Sequence, residues 1–221
     1  MIGRATCVTK DEARTTRGER SSDDRYRRRY ASAPMRRAVY PGSFNPPTVA
    51  HLHIARAALE ACGLDRVDLA LSRRALGKED VDRPRFDERV AVLGQVVAER
   101  TWLGLVVTDA QLLVDIATGY DAVVMGADKW AQVNDPVFYG GCSAARDDAV
   151  ARLPPPIVVP RPPYPTPSEY ALHVDPALAV VSSSAVRNGT TGWMLPEAAD
   201  FDAESGAWTD PDRYTRWRAG R

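Results

Sequence analysis

The stretch YPGSFNPPTVAHLHIA, residues 40–55, decides how this chain is read. It joins a short apolar strand, Ala38 to Tyr40, to a helix expected over Val49–Cys62, where Leu52, Ala55, Leu59 and Cys62 fall at helical spacing. A loop that leaves a strand and enters a helix N-terminus presents unpaired N–H groups and the positive end of the helix dipole, which together suit an anion such as phosphate. Gly42 lets the backbone approach such a guest and the two prolines stiffen the loop. Thr48 is placed to cap the helix and to donate to a phosphate oxygen, and His51 stands in the first turn facing the same space. The plainer alternative makes Thr48 a cap and His51 a surface or packing residue.

Outward from this unit, strands and helices alternate. Val67–Leu71 reads as a second strand, Arg85–Glu99 as a helix with Val90, Leu93, Val96 and Val97 on one face, and Leu103–Val107 as a third strand. Asp109–Thr118 is expected as a helix, Ala122–Met125 and Ile157–Val159 as buried strands, and Ala179–Val181 as a last strand. The alternation predicts an α/β fold, a Rossmann-like doubly wound parallel sheet in a single domain, with its ligand beyond the carboxyl ends of the strands at a topological switch point.

Composition bounds the rest. The 221 residues carry 29 Lys and Arg against 29 Asp and Glu, but the balance is uneven. Residues 1–36 hold ten basic and five acidic side chains, net +5, with few aliphatics and no periodicity. A disordered basic leader over 1–35 is therefore expected. A basic arm for nucleic acid, a tail without a role, or translation from a start codon upstream of Met35 are its three readings, and nothing else in the chain supports nucleic acid. The folded domain is expected over 36–208 and a polar C-terminal tail over 209–221. No apolar run is long enough for a membrane span and the N-terminus lacks a secretory pattern, so the expected location is cytoplasmic. Three widely spaced cysteines, Cys7, Cys62 and Cys142, fit no disulfide framework.

GSFNPPTVAH, residues 42–51, resembles the first motif of the nucleotidylyltransferase superfamily, with its H-x-G-H or T-x-G-H pattern. VSSSAVR, residues 181–187, is similar to the I-S-S-T-x-x-R segment of the adenylyltransferase branch, which argues for ATP over CTP. VVMGADKW, residues 123–130, looks like the G-x-D segment of the mononucleotide adenylyltransferases. The three occur in family order, and the resemblance covers about residues 36–208.

The resemblance implies roles. The acceptor's phosphate attacks the α-phosphorus of ATP, pyrophosphate leaves, and catalysis comes from alignment and charge neutralisation. The backbone of Ser43 and Phe44 would meet the acceptor or α-phosphate while Asn45 shapes the loop. Thr48 and His51 would bind the triphosphate, with His51 stabilising the transition state. Ser182, Ser183, Ser184 and Arg187 would hold the β- and γ-phosphates, and Gly126 and Asp128 would lie against the adenosine. Lys78, Trp130 and Arg161 are the candidates on the acceptor side, Lys78 also as a catalytic cation. For each an ordinary alternative exists: a serine cap, a strand-ending turn, a surface charge, a core tryptophan. Mg²⁺ would accompany ATP, and a homo-oligomer is possible. Three departures stand out: Thr48 replaces the first histidine of H-x-G-H, as in the phosphopantetheine enzymes, Ala50 replaces the glycine before His51, and TDAQLLVDIATGYD, residues 108–121, lacks the Thr-x-x-Thr-Leu helix start of the nicotinate enzymes. The expected activity is transfer of AMP to nicotinate or nicotinamide mononucleotide. The alternatives are a phosphopantetheine adenylyltransferase or a diverged relative with another phosphomonoester acceptor, and a noncatalytic nucleotide-binding protein.

Overall fold

A computed structural model describes residues 35–74 and 83–221. The leader up to Pro34 and the candidate Lys78 lie outside the described residues. Five parallel strands form one sheet in the order β3-β2-β1-β4-β5: β1 Arg37–Pro41, β2 Arg66–Ser72, β3 Leu103–Thr108, β4 Ala122–Gly126 and β5 Pro156–Val159. The strand order reverses about β1, so the crevice between the carboxyl ends of β1 and β4 is the switch point.

Helices cover both faces, which is why the inner strands are apolar runs rather than alternations. Successive residues point to opposite sides. Ala38 and Tyr40 join Leu69, Leu71 and Val124 against α1 (Val49–Ala61) and α2 (Phe86–Ala98). Val39, Ala70, Val123, Met125 and Val158 pack on the other face with residues of α3 (Leu113–Ile116) and α4 (Ala127–Val133). A further helix, α5 (Ser143–Ala151), precedes β5.

Two expected elements differ. The helix expected over Asp109–Thr118 shrinks to the four residues of α3, because Thr108 Oγ1 accepts from the Ala110 N–H at 3.1 Å and Ser72 Oγ donates to the Ala110 carbonyl at 2.6 Å. These side chains satisfy backbone groups that a helix would otherwise use. The strand expected over Ala179–Val181 is instead part of a 3₁₀ turn, Pro176–Val180, opened by Asp175, whose carboxylate accepts from the Ala177 N–H at 2.8 Å.

The C-terminal quarter is more ordered than its polarity suggests. Residues 183–187 form α6, 196–205 form α7 and 211–219 form α8. Val186, Met194, Ala198, Trp208 and Tyr214 make a third apolar cluster against Val92 of α2. The polar tail read over 209–221 thus contains a helix started by Asp210, whose carboxylate accepts from the Arg213 N–H, with Pro211 at its first position and Tyr214 turned inward. Tyr214 hydroxyl donates to Glu88 and accepts from the Arg85 N–H, and Arg218 binds Glu88 at 2.5 Å. This fastens α8 to the start of α2.

A single buried carboxylate gathers the sheet. Asp68, on β2, accepts from Arg37 of β1, from Arg66 Nε at 2.7 Å and from the Tyr120 hydroxyl at 3.1 Å. Gly104 on β3 leaves the room this needs, since a Cβ there would sit 2.0 Å from Asp68 Oδ1. Burial pushes the Asp68 carboxyl up, but the hydrogen bonds from Arg66 and Arg37 outweigh it and hold the group below its ordinary value. A depressed carboxylate contributes stability above the unfolded aspartate value of about 3.9, and that stability is lost as pH falls through the lower folded value. Asp68→Asn should cost about 2–3 kcal/mol at neutral pH, because both arginines keep partial access to water. Urea unfolding from pH 7 down to pH 2 should show the gap between wild type and variant closing in the acid range.

Candidate active site

The loop between β1 and α1 is built around one aromatic ring. Phe44 adopts φ 43°, the left-handed region that few side chains enter, and is almost fully buried. Its ring packs edge-on to Tyr40 at 5.7 Å and to His51 at 5.1 Å. Gly42 is required by that ring, because a Cβ there would meet Phe44 at 2.8 Å. The Gly42 N–H also continues the β1–β2 ladder to the Ala70 carbonyl at 3.1 Å.

Beyond Phe44, three successive carbonyls point outward and each is met by a donor from the C-terminal part of the chain. Arg187 donates to Asn45, Ser183 Oγ to Pro46 at 2.8 Å, and the Leu195 N–H to Pro47 at 3.1 Å. Asn45 Oδ1 accepts from Trp208 Nε1 at 2.6 Å. The first and second motifs, 130 residues apart in sequence, are therefore bonded to each other.

At the helix start, Thr48 is fully buried, and its N–H donates to His51 Nδ1 at 3.0 Å with Thr48 Oγ1 2.8 Å from the same nitrogen. This is the position where a capping box usually places Glu or Gln. Because Nδ1 accepts from a backbone N–H, the neutral ring carries its proton on Nε2, a donor.

Ser182 caps α6 by accepting from the Ala185 N–H at 3.1 Å, and Ser184 Oγ accepts from Arg187 at 3.3 Å. Burial, and then the neighbouring charge of Arg83, push the Arg187 guanidinium below its ordinary value. Among the described residues no carboxylate is ion-paired with Arg187. Gly126, at the end of β4, lies beneath Asp128, whose carboxylate would be 2.3 Å from a Cβ there. Arg161, after β5, reaches Asp128 at 3.9 Å. Tyr40, at the β1 end, has its phenol pushed up by burial, with Arg161 opposing and Asp128 adding to the shift. Tyr40, Asp128 and Arg161 thus meet beyond the carboxyl ends of the strands flanking the switch point.

A cavity of about 510 Å³ opens beside this constellation, beyond β1 and β2. Gly42 and Ser43 form one wall, Arg73 and Arg74 another, and Phe86 and Arg89 of α2 a third. Lys129, Phe138 and Tyr139 line it as well, with residues of the segment 111–116. It shares the Gly42–Ser43 loop with the expected nucleotide residues but not Thr48, His51, Ser182, Ser183, Ser184 or Arg187. Trp130 does not line it; the indole lies edge-on to Tyr170 at 5.5 Å in the second apolar cluster, while its neighbour Lys129 does. Arg161 is likewise outside the cavity wall.

Two residues at the site were not singled out from sequence. Arg89 donates to the Ser43 carbonyl at 3.2 Å, and the available signal was its place four residues before Leu93 and seven before Val96, on the inward face of α2. Trp208 carried no periodic signal, since it lies in the turn between α7 and α8.

A cytidylyltransferase-like family model matches residues 39–189. Residues of this chain are 38% identical over 65 positions to a probable nicotinate-nucleotide adenylyltransferase of Parvibaculum lavamentivorans, which covers 29% of this chain and 32% of that protein. The match thus spans about a third of the relative's length. The fold is similar to that of Plasmodium falciparum nicotinic acid mononucleotide adenylyltransferase, in structures complexed with NaAD and with APC. In both the TM-score is 0.56 at 12% identity, over 79% of this chain and 97% of the other.

Trp208→Phe leaves the buried Asn45 side chain without its donor and should lower stability by about 1–3 kcal/mol. Combined with Asn45→Ala, it should cost less than the sum of the single changes in urea unfolding, because the two share one hydrogen bond.

Proposed function

The chain belongs to the cytidylyltransferase-like family, and from that premise we propose that it is an ATP-dependent adenylyltransferase. It transfers AMP to the phosphate of nicotinate or nicotinamide mononucleotide and releases pyrophosphate. The observation that carries this reading is the bonding of the Gly42–Thr48 loop to Ser183 and Arg187, which supports a single phosphate-binding unit drawn from both motifs. ATP, rather than another nucleotide, is favoured by the VSSSAVR segment and by the adenylyltransferase relatives.

An oxygen of the acceptor phosphate attacks the α-phosphorus; the new P–O bond forms as the bond to the β-phosphate oxygen breaks. That oxygen is already anionic at neutral pH, so no protein base is required. Positioning and charge neutralisation supply the rate. The Ser43 and Phe44 backbone orients the attacked phosphate, the His51 Nε2–H donates to the charge that develops, and Arg187 with Ser182, Ser183 and Ser184 lies toward the leaving pyrophosphate. Mg²⁺ enters chelated to the triphosphate, as part of the substrate. Gly126 and Asp128 face the adenosine, with Arg161 setting the Asp128 carboxylate. On the acceptor side, Trp130 packs on Tyr170 in the core and supports the wall of the pocket rather than lining it, and Lys78 remains a candidate cation by resemblance.

One observation favours a second reading. Thr48 stands where the first histidine of H-x-G-H would be, as in the phosphopantetheine enzymes, so phosphopantetheine or another phosphomonoester is the alternative acceptor. Pyrophosphate release from ATP with a panel of phosphomonoesters decides between them, and release with none of them would leave a nucleotide-binding protein.

With the true acceptor, His51→Ala should lower turnover by about 10²–10³. His51→Asn, which keeps an acceptor for the Thr48 N–H, should retain the fold's stability and lose turnover to a similar degree. Arg187→Ala should raise the KM for ATP and lower kcat as well, because the same guanidinium holds the Asn45 carbonyl. Initial-rate kinetics with calorimetric stability controls would check all three.

A further inference from the structure

The cavity beyond β1 and β2 has four cationic side chains on its walls, Arg73, Arg74, Arg89 and Lys129, and no Asp or Glu among the described residues. Arg73 and Lys129 have partners: Arg73 lies over the Phe86 ring at 4.9 Å and 3.8 Å from Asp109, and Lys129 donates to Gln132 at 2.6 Å. Arg89 is different. It is 8% exposed, and among the described residues its side chain makes one hydrogen bond, to the Ser43 carbonyl. Its Nε is buried without a partner. No carboxylate among the described residues is ion-paired with it, and burial alone pushes the guanidinium below its ordinary value.

A buried cation without a counter-ion is costly, and a fold keeps one where something else repays the desolvation. Arg89 sits where a mobile counter-ion could arrive. It borders the cavity and touches the backbone of the loop that both halves of the site share. A guanidinium has five N–H donors in a planar fork suited to phosphate oxygens, and most of those of Arg89 are uncommitted. Phe86, Phe138 and Tyr139 give the same cavity flat apolar surface. Cationic depth and aromatic walls together match a phosphate attached to a planar ring.

We propose that Arg89 anchors the acceptor's phosphate, seating it between its guanidinium and the Gly42–Ser43 backbone while the acceptor's ring lies along Phe86, Phe138 and Tyr139. This rests on the adenylyl-transfer reading and assigns the acceptor's anchor within it. Arg89 then performs two tasks with one group: it fixes the loop through the Ser43 carbonyl and brings the attacking phosphate to that loop. The incoming phosphate supplies the counter-ion that none of the described residues provides.

The test pairs a change in the protein with a change in the ligand. Binding of nicotinate mononucleotide and of its phosphate-free nucleoside is measured calorimetrically, without ATP, for wild type, Arg89→Gln and Arg89→Lys. Wild type should prefer the mononucleotide strongly. Arg89→Gln should weaken the mononucleotide by about thirtyfold, the loss expected for a charged hydrogen bond, and leave the nucleoside unchanged. Arg89→Lys should fall between. Equal weakening of both ligands, no weakening of either, a wild type that binds the two ligands alike, or failure of both variants to fold would each overturn the proposal and make Arg89 a structural residue. Turnover separates this from the parent reading. Mononucleotide binding that depends on Arg89 without pyrophosphate release would refute adenylyl transfer alone. Transfer to the mononucleotide with an unaltered KM in Arg89→Gln would refute Arg89 alone.

Discussion

The carbonyls of Asn45, Pro46 and Pro47 are the constraint on which the site depends. Two of these residues are prolines, so the loop has few N–H groups with which to satisfy itself. Its outward carbonyls need donors from elsewhere, and an unmet buried carbonyl costs about 1–3 kcal/mol. Arg187, Ser183 and Leu195 provide them. The loop's shape is therefore held by chain that folds over it from far downstream, and the loop and the segment 183–195 cannot drift apart independently. Phe44 can hold its left-handed backbone only because this frame and the ring's burial over-determine it.

The same loop borders the cationic cavity beyond β1 and β2, where Gly42 and Ser43 form one wall. With its carbonyls tied back by Arg187, Ser183 and Leu195, this glycine-containing loop makes a thin, rigid wall. Arg89 stiffens it from the cavity side through Ser43, as Trp208 does from the C-terminal side through Asn45.

Much of this was legible in the sequence because the signals were local. Apolar runs such as Val67–Leu71 can only be buried strands in an alternating pattern, and the Gly-Pro punctuation after Tyr40 marks the turn that matters. The pairing of GSFNPPTVAH with VSSSAVR could be read from resemblance, and the structure bonds the two segments. What escaped was set by partners distant in sequence. Residues 109–112 look helical until Ser72 and Thr108 claim their backbone. Ala179–Val181 is apolar enough for a strand, yet Asp175 and Pro176 start a 3₁₀ turn instead. Tyr214 gives α8 its hold through Glu88, 126 residues away, so a polar stretch folds for reasons its own composition does not contain. Arg89 was hidden by a helix whose neighbours all indicated core.

Asp68 lies toward the amino end of its strand, and the bonds it gathers from β1, from β2 and from Tyr120 ahead of β4 act as a pin at the edge of the sheet opposite the crevice. A protein hinged in this way separates upkeep from invention. Registers of three strands are fixed at one end, so the loops at the other can lengthen, change charge or exchange aromatic walls without unthreading the sheet. Such an arrangement lets the loops at the crevice vary while the scaffold beneath them stays unchanged. The absent Thr-x-x-Thr-Leu segment after β3 is a variation of the kind that this pin permits.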